Sequence, residues 1–465
     1  MTDDTADETA DETADDAVSA FLRAATAPLQ WHASGTLDAA ETLRAADPRL
    51  AERSVHAAAA LGDADAVRRH LARDGGSASA ASAAGGPYGW DPLTYLCFSR
   101  YLRLDPARGD AFVDAARALL DAGASARTGF REPGHDPSPT FESALYGAAG
   151  VAHHAGLTRL LLERGADPND DEVPYHAPET YDHGALRALL ESGRLSADSL
   201  ATMLLRKADW HDVEGARLLL DHGADPNRPT LWGVTAFQQA IRRDNAPAMI
   251  ELLLERGADA TVATAAGTGA ELAARLGRGD VLGLLARRGT LPPFEGADRL
   301  LGACALGDAE AAHEIAVADP LLAMALTLDA GRLLCGFAIS GNAPGVALLL
   351  DLGLPADATW SGGDRYWSLG RDTTALHAAA WRARHDVVAV LLDRGADPSA
   401  RDAQGRTPLA LAVLACVDSH WKEHRAPDSV RALLAAGASV EGARYPSGYD
   451  AVDALLAAHG ARPTP

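Results

Sequence analysis

Apolar residues along this chain recur three or four positions apart, the spacing of one helix face, and one phrase closes helical stretch after helical stretch. It reads LLDAGAS at 119–125, LLERGAD at 161–167, LLDHGAD at 219–225, LLERGAD at 253–259, LLDRGAD at 391–397 and LLAAGAS at 433–439. Looser copies end at Gly193, Gly289, Gly353 and Gly460. Each phrase predicts a helix end. The leucines face a core, and glycine takes the left-handed conformation that a helix C-terminus often needs. Asp-Pro then leads into a turn, as from Asp167 to Asn169 and from Asp225 to Asn227. Gly223, Gly257 and Gly289 stand 34 and 32 residues apart, so the unit is helix, turn, helix, loop.

The other half of the unit is clearest in TALHAAAWRARHDVVAVLLDRGADP at 374–398. Small Ala379 and Ala380 permit close helix approach, and Val387, Val388, Leu391 and Leu392 form the second apolar face. Partial copies are GWDPLTYLC (89–97), GVTAFQQAI (233–241) and GRTPLALAV (405–413). With a period near 33 residues, these segments resemble the ankyrin-repeat family, of bacterial type and with roughly ten to twelve repeats. The resemblance covers most of residues 55–460 and implies an all-α solenoid of stacked helix-turn-helix repeats forming a curved superhelix. It also implies protein–protein binding. His377, at the family's histidine slot, reads as a local hydrogen-bonding residue.

A single helix pair cannot cover its own apolar face, so stability must come from stacking neighbours. Residues 1–17 are expected to be a disordered acidic tail and 18–54 an N-terminal helical cap. Residues 55–290 read as a first stack of repeats. Residues 291–465 read as degenerate and then regular repeats, ending in a C-terminal cap. The least regular stretch is GTLPPFEGADRLLGACALGDAEAAHEIAVADP at 289–320, which loses the closing phrase. One continuous stack is expected there, with a bend between two shorter stacks as the alternative.

Charge narrows the choice of partner. The net charge is −22, and the first 17 residues hold eight acidic and no basic side chains. Such a field repels nucleic acid and anionic lipid and favours a basic protein partner. No signal-peptide pattern opens the chain, and no apolar run approaches the roughly 20 residues of a spanning helix. A cytoplasmic monomer without membrane contact is expected. Lysine occurs only at Lys207 and Lys422, a bias typical of GC-rich bacterial genomes. Cys97, Cys304, Cys335 and Cys416 are far apart and read as free, buried thiols.

Aromatic residues gather in the long loops 168–184, 227–235, 358–374 and 440–450. Tyr175, Trp232, Trp360, Trp367 and Tyr445 are therefore the candidates for partner contact, since interfaces favour these residue types. The opposing reading is that each ring folds back over its own repeat. Cys416, His420 and His424 are spaced four apart, with Glu423 alongside, and on an unbroken helix they would share one face, suiting zinc. Cys416, however, falls where the family breaks between helices, and Lys422 and Arg425 add positive charge. A solvated extension of the helix is the competing reading, and no metal or cofactor is expected. No GxSxG, HExxH or GxxxxGK motif is present, so the chain reads as a scaffold rather than an enzyme.

Overall fold

In the computed structural model, residues 16–27, 32–73, 75, 78–132, 140–170 and 172–463 are described. Residues 1–15 of the expected acidic tail lie outside them. Positions 16 and 17, assigned to that tail from sequence, instead open a helix over 16–25. The chain divides into two compact units, residues 1–230 and 231–465. Among the described residues, no single helix is long and apolar enough to cross a membrane.

The first unit begins with the 16–25 helix and the helices Asp38–Ala46 and Leu50–Arg53. Antiparallel pairs follow. Val55–Ala60 runs against Ala64–Arg73, Pro92–Cys97 against Gly109–Asp121, and Ala197–Asp209 against Val213–Asp221. Consecutive first helices pack together, as Val55–Ala60 does on Pro92–Cys97, and so do consecutive second helices, as Ala155–Glu163 does on Gly184–Glu191. Alanine explains the close fit: Ala57, Ala58, Ala59 and Ala60 are all fully buried. A hairpin that the apolar pattern does not announce interrupts the helices. Strand Gly129–Glu132 pairs antiparallel with Thr140–Ser143, setting Gly129 opposite Ser143 and Phe130 opposite Glu142.

The second unit repeats the scheme with Ala236–Arg242 and Pro247–Glu255, Gly269–Arg275 and Gly279–Arg287, Ala375–Trp381 and His385–Asp393, and Pro408–Asp418 and Asp428–Ala435. Its helix ends follow the closing phrase. Gly257 has φ +90°, its N–H donates to Leu254 O at 3.2 Å, and the Ala258 N–H donates to Leu253 O at 2.9 Å. These two hydrogen bonds satisfy carbonyls that the helix end would leave unpaired. At the other end, Thr235 with Gln238, Thr268 with Glu271 and Thr374 with His377 form capping boxes. His377 is buried, with Nδ1 2.8 Å from Thr374 Oγ1 and Nε2 3.0 Å from Arg406 O, which is the local role expected of it.

The irregular stretch folds as Gly296–Leu306, Ala309–Ala318 and Pro320–Thr327 before Ala330–Ser340 and Ala343–Asp351 restore the pairing. Gly296–Leu306 packs on Gly269–Arg275 and on Ala343–Asp351, and Ala330–Ser340 also reaches Gly269–Arg275. Val317, Leu321, Met324 and Leu328 stay exposed, in the segment where the sequence loses its closing phrase. The thiols Cys97, Cys304, Cys335 and Cys416 are free and buried, as read from sequence.

Candidate partner-binding site

Turns between the two helices of a repeat are short in this fold, and in the second unit several carry arginine. Asp244, with φ +51°, lies in the turn after Ala236–Arg242. Its carboxylate meets Arg278 at 3.5 Å and Arg382 at 2.8 Å, and it pairs more tightly with Arg384. Three guanidiniums from two other repeats, Arg278 from one turn and Arg382 and Arg384 from another, thus converge on one mostly buried acid. Backbone carbonyls hold two of the guanidiniums as well: Arg278 donates to Asn245 O at 2.7 Å and Arg384 to Ile339 O at 3.0 Å. Asn342 adds a further stitch, donating to Gly277 O at 2.8 Å and Ala305 O at 2.7 Å.

Arg382 lies against both Trp367 and Trp421, its guanidinium carbon 4.0 Å and 4.1 Å from the two ring centres. Cation–π contact suits a guanidinium removed from water. Burial lowers the Arg382 pKa to about 10, with Asp244 opposing the shift, so it stays charged at neutral pH. Burial likewise works against ionisation of Asp280, but its bonds from Arg278 prevail and hold it below the usual carboxylate range.

Against this knot lies the loop that carries two of the sequence candidates. Thr359–Trp360 pairs antiparallel with Thr373–Thr374, with Trp360 opposite Thr373. The strand rests on the start of Ala330–Ser340, where a Cβ on Gly331 would come within 2.1 Å of Thr359 O. Only glycine admits that approach. Asp364 folds the tip by accepting from the N–H groups of Tyr366 at 2.9 Å and Trp367 at 3.2 Å.

Between these elements opens a cavity of 510 Å³. Ile241, Leu272, Leu276, Ile339 and Trp360 give it apolar walls, and Arg242, Arg243, Arg275, Arg278 and Arg332 also line it. Arg243 also lies over the Tyr366 ring at 3.7 Å. Apolar walls with a few convergent polar groups are the usual make-up of a recognition pocket.

Of the five aromatic candidates, the structure brings Trp360 and Trp367 to this one cavity. Trp360 is half-buried, whereas Trp367 is 5% exposed and also packs on Arg382. Trp232 is 46% exposed and lies outside the lining, and half-buried Tyr445 sits in the turn before Asp450–Ala458. Tyr175 belongs to the first unit, where Arg206 stacks on its ring at 4.0 Å.

The Cys416–His420–His424 face does not form. Helix Pro408–Asp418 ends at Ser419, whose ψ of 150° turns the chain out of the helix. His420 and His424 then lie exposed on a separate turn, and the Cys416 thiol donates to Ala426 O at 3.3 Å. Among the described residues, no group of three His, Cys, Asp or Glu side chains is placed to hold a metal ion.

The arginines escaped the reading from sequence. Their signal was there as recurrence, in IRRDN (241–245), LGRGD (276–280) and WRARHD (381–386), each at a turn between paired helices.

Residues 219–270 and 349–412 match the model of a family described as ankyrin repeats in many copies. A stretch of 86 residues is 38% identical to serine/threonine-protein kinase 12 of Arabidopsis thaliana, covering 18% of this chain and 17% of that protein. The chain thus spans about a sixth of that relative's length. The crystal structure of the human ASB11 ankyrin repeat domain is similar over 57% of this chain and 98% of its own, at 22% identity and a TM-score of 0.25.

Proposed function

We propose, from the match of residues 219–270 and 349–412 to ankyrin repeats, a fold that generally mediates protein–protein contact and is typically non-catalytic, that this chain is a non-catalytic adaptor. It captures a partner protein through the cavity of its second unit, with Trp360 as the aromatic anchor and Trp367 shaping the wall. The observation that carries this reading is the cavity itself, lined by a half-buried tryptophan and several arginines. Interface energy concentrates in such aromatic and arginine anchors. The reading includes a monomer working in the cytoplasm, with Trp232 and Tyr445 as secondary contacts.

Retention of protein from an extract of the native cells by the immobilised full chain tests the proposal. Trp360→Ala is expected to abolish that retention at an unchanged melting temperature. Equal retention by the variant would refute the assignment of the cavity.

A further inference from the structure

Resting on that reading, we infer that the segment taken by the cavity is acidic: a short stretch of the partner's chain with carboxylates flanking an apolar side chain. The lining of the cavity holds more arginines than carboxylates, with Asp280, Asp298 and Asp329 pairing with Arg278, Arg275 and Arg332 from just outside it. The whole chain has a net charge of −22, yet five arginines and two carboxylates, Asp244 and Asp364, line this space. Both acids already have work within the fold, Asp244 in the arginine knot and Asp364 in capping the loop tip.

The arginines differ in how firmly they are held. Arg278 and Arg382 are buried, whereas Arg332 is exposed and paired with exposed Asp329 three residues away. A pair of that kind is weak and exchanges readily for a better carboxylate. Arg275 is held by Asp298 at 2.6 Å and is half-buried at the same wall. Planar guanidiniums match carboxylates bidentately, and beside apolar walls such bonds are stronger than in open water. The distant acidic surface does not decide the outcome, because charges beyond about 8 Å are screened at physiological ionic strength. The apolar share of the site is Trp360 with Ile339 and Leu272, which suits an aliphatic side chain between two acids.

Fluorescence anisotropy on the full chain separates the alternatives, with a fluorescein-labelled decapeptide of alternating glutamate and leucine as the probe. Its lysine-for-glutamate and phosphoserine-for-glutamate counterparts serve as comparisons. The glutamate peptide is expected to bind, to weaken with added salt, and to lose at least tenfold in affinity with R332E, while R431E on the outer helix Asp428–Ala435 changes nothing. Tighter binding of the lysine peptide would overturn the acidic chemistry; if Trp360→Ala weakened that binding, the docking site itself would still stand. Tenfold preference for the phosphoserine peptide, dependent on Arg332, would replace the carboxylate with a phosphate. No binding of the glutamate peptide at about 1 mM, an affinity weaker than about 4 kcal/mol, would overturn the inference.

Discussion

Lys207, one of the chain's two lysines, is fully buried in the first unit. Its ammonium lies 2.6 Å from Asp212 Oδ2 and donates to Thr180 O at 2.7 Å, while His183 Nε2 meets the same carboxylate at 2.7 Å. Asp212 also caps the helix Val213–Asp221 by accepting from the Gly215 N–H at 2.9 Å. Burial pulls the Lys207 pKa down, with Asp212 opposing the shift. Removing one partner of such a pair strands a charge in the interior. Asp212→Ala is therefore expected to destabilise the first unit by about 3–5 kcal/mol in urea unfolding. Adding Lys207→Met should recover part of the loss, and no recovery would mean that the capping bond, rather than the ion pair, carries the effect. Nothing in the local sequence announces this pair, because KADWHD reads equally well as an exposed turn.

Among the elements, the paired strands Gly129–Glu132 and Thr140–Ser143 and the helix Glu172–His176 hold a group of buried acids. Burial pushes the Glu142 carboxyl from an ordinary 4.5 up to about 8, with Glu172 and Glu132 adding repulsion. Burial alone would lower His176, but bonds to Glu172 and Glu179 outweigh it and raise the ring from 6.5 to about 9. In both cases the folded state binds protons that the unfolded chain releases. Stability is then fully present on the acid side and falls with rising pH, between 4.5 and 8 for Glu142 and between 6.5 and 9 for His176. Depressed acids such as Asp212 act in the opposite sense, only as the pH falls towards their own titration. Amide hydrogen exchange in Glu172–His176, corrected for intrinsic rates, is expected to show protection falling from pH 6 to pH 9, and Glu142→Gln should flatten that slope. Protection that rises with pH would contradict the assignment.

The regular elements were legible because each depends on neighbours in sequence. Closing glycines, capping threonines and leucine pairs all act within one helical turn, and His377 was identified by its slot alone. The hairpin was hidden because its pairing needs Phe130 opposite Glu142, an alternation too short to stand out against helical spacing. The zinc-like spacing forms no shared face, because a periodic face exists only while the helix continues, and Ser419 ends it.

At the scale of the whole molecule, the proposed site depends on contacts that close over long stretches of chain. Asp244 and Arg382 are 138 positions apart, and their approach inside the second unit follows from how the repeats between them pack. Periodicity reveals that repeats stack but not which turns meet. The tryptophans were therefore visible as candidates, while the arginines that line the cavity were not. Net charge pointed to a basic partner for the same reason: a total of −22 is silent about where the positive groups gather.

Site-specific photo-cross-linking tests the partner-binding role of this cavity most directly. With benzoylphenylalanine placed at position 360 or at 431 in otherwise unaltered full chains, irradiation in native extract is expected to give adducts from position 360 only. Adducts of equal yield from position 431, on the outer helix, or from neither position, would contradict it.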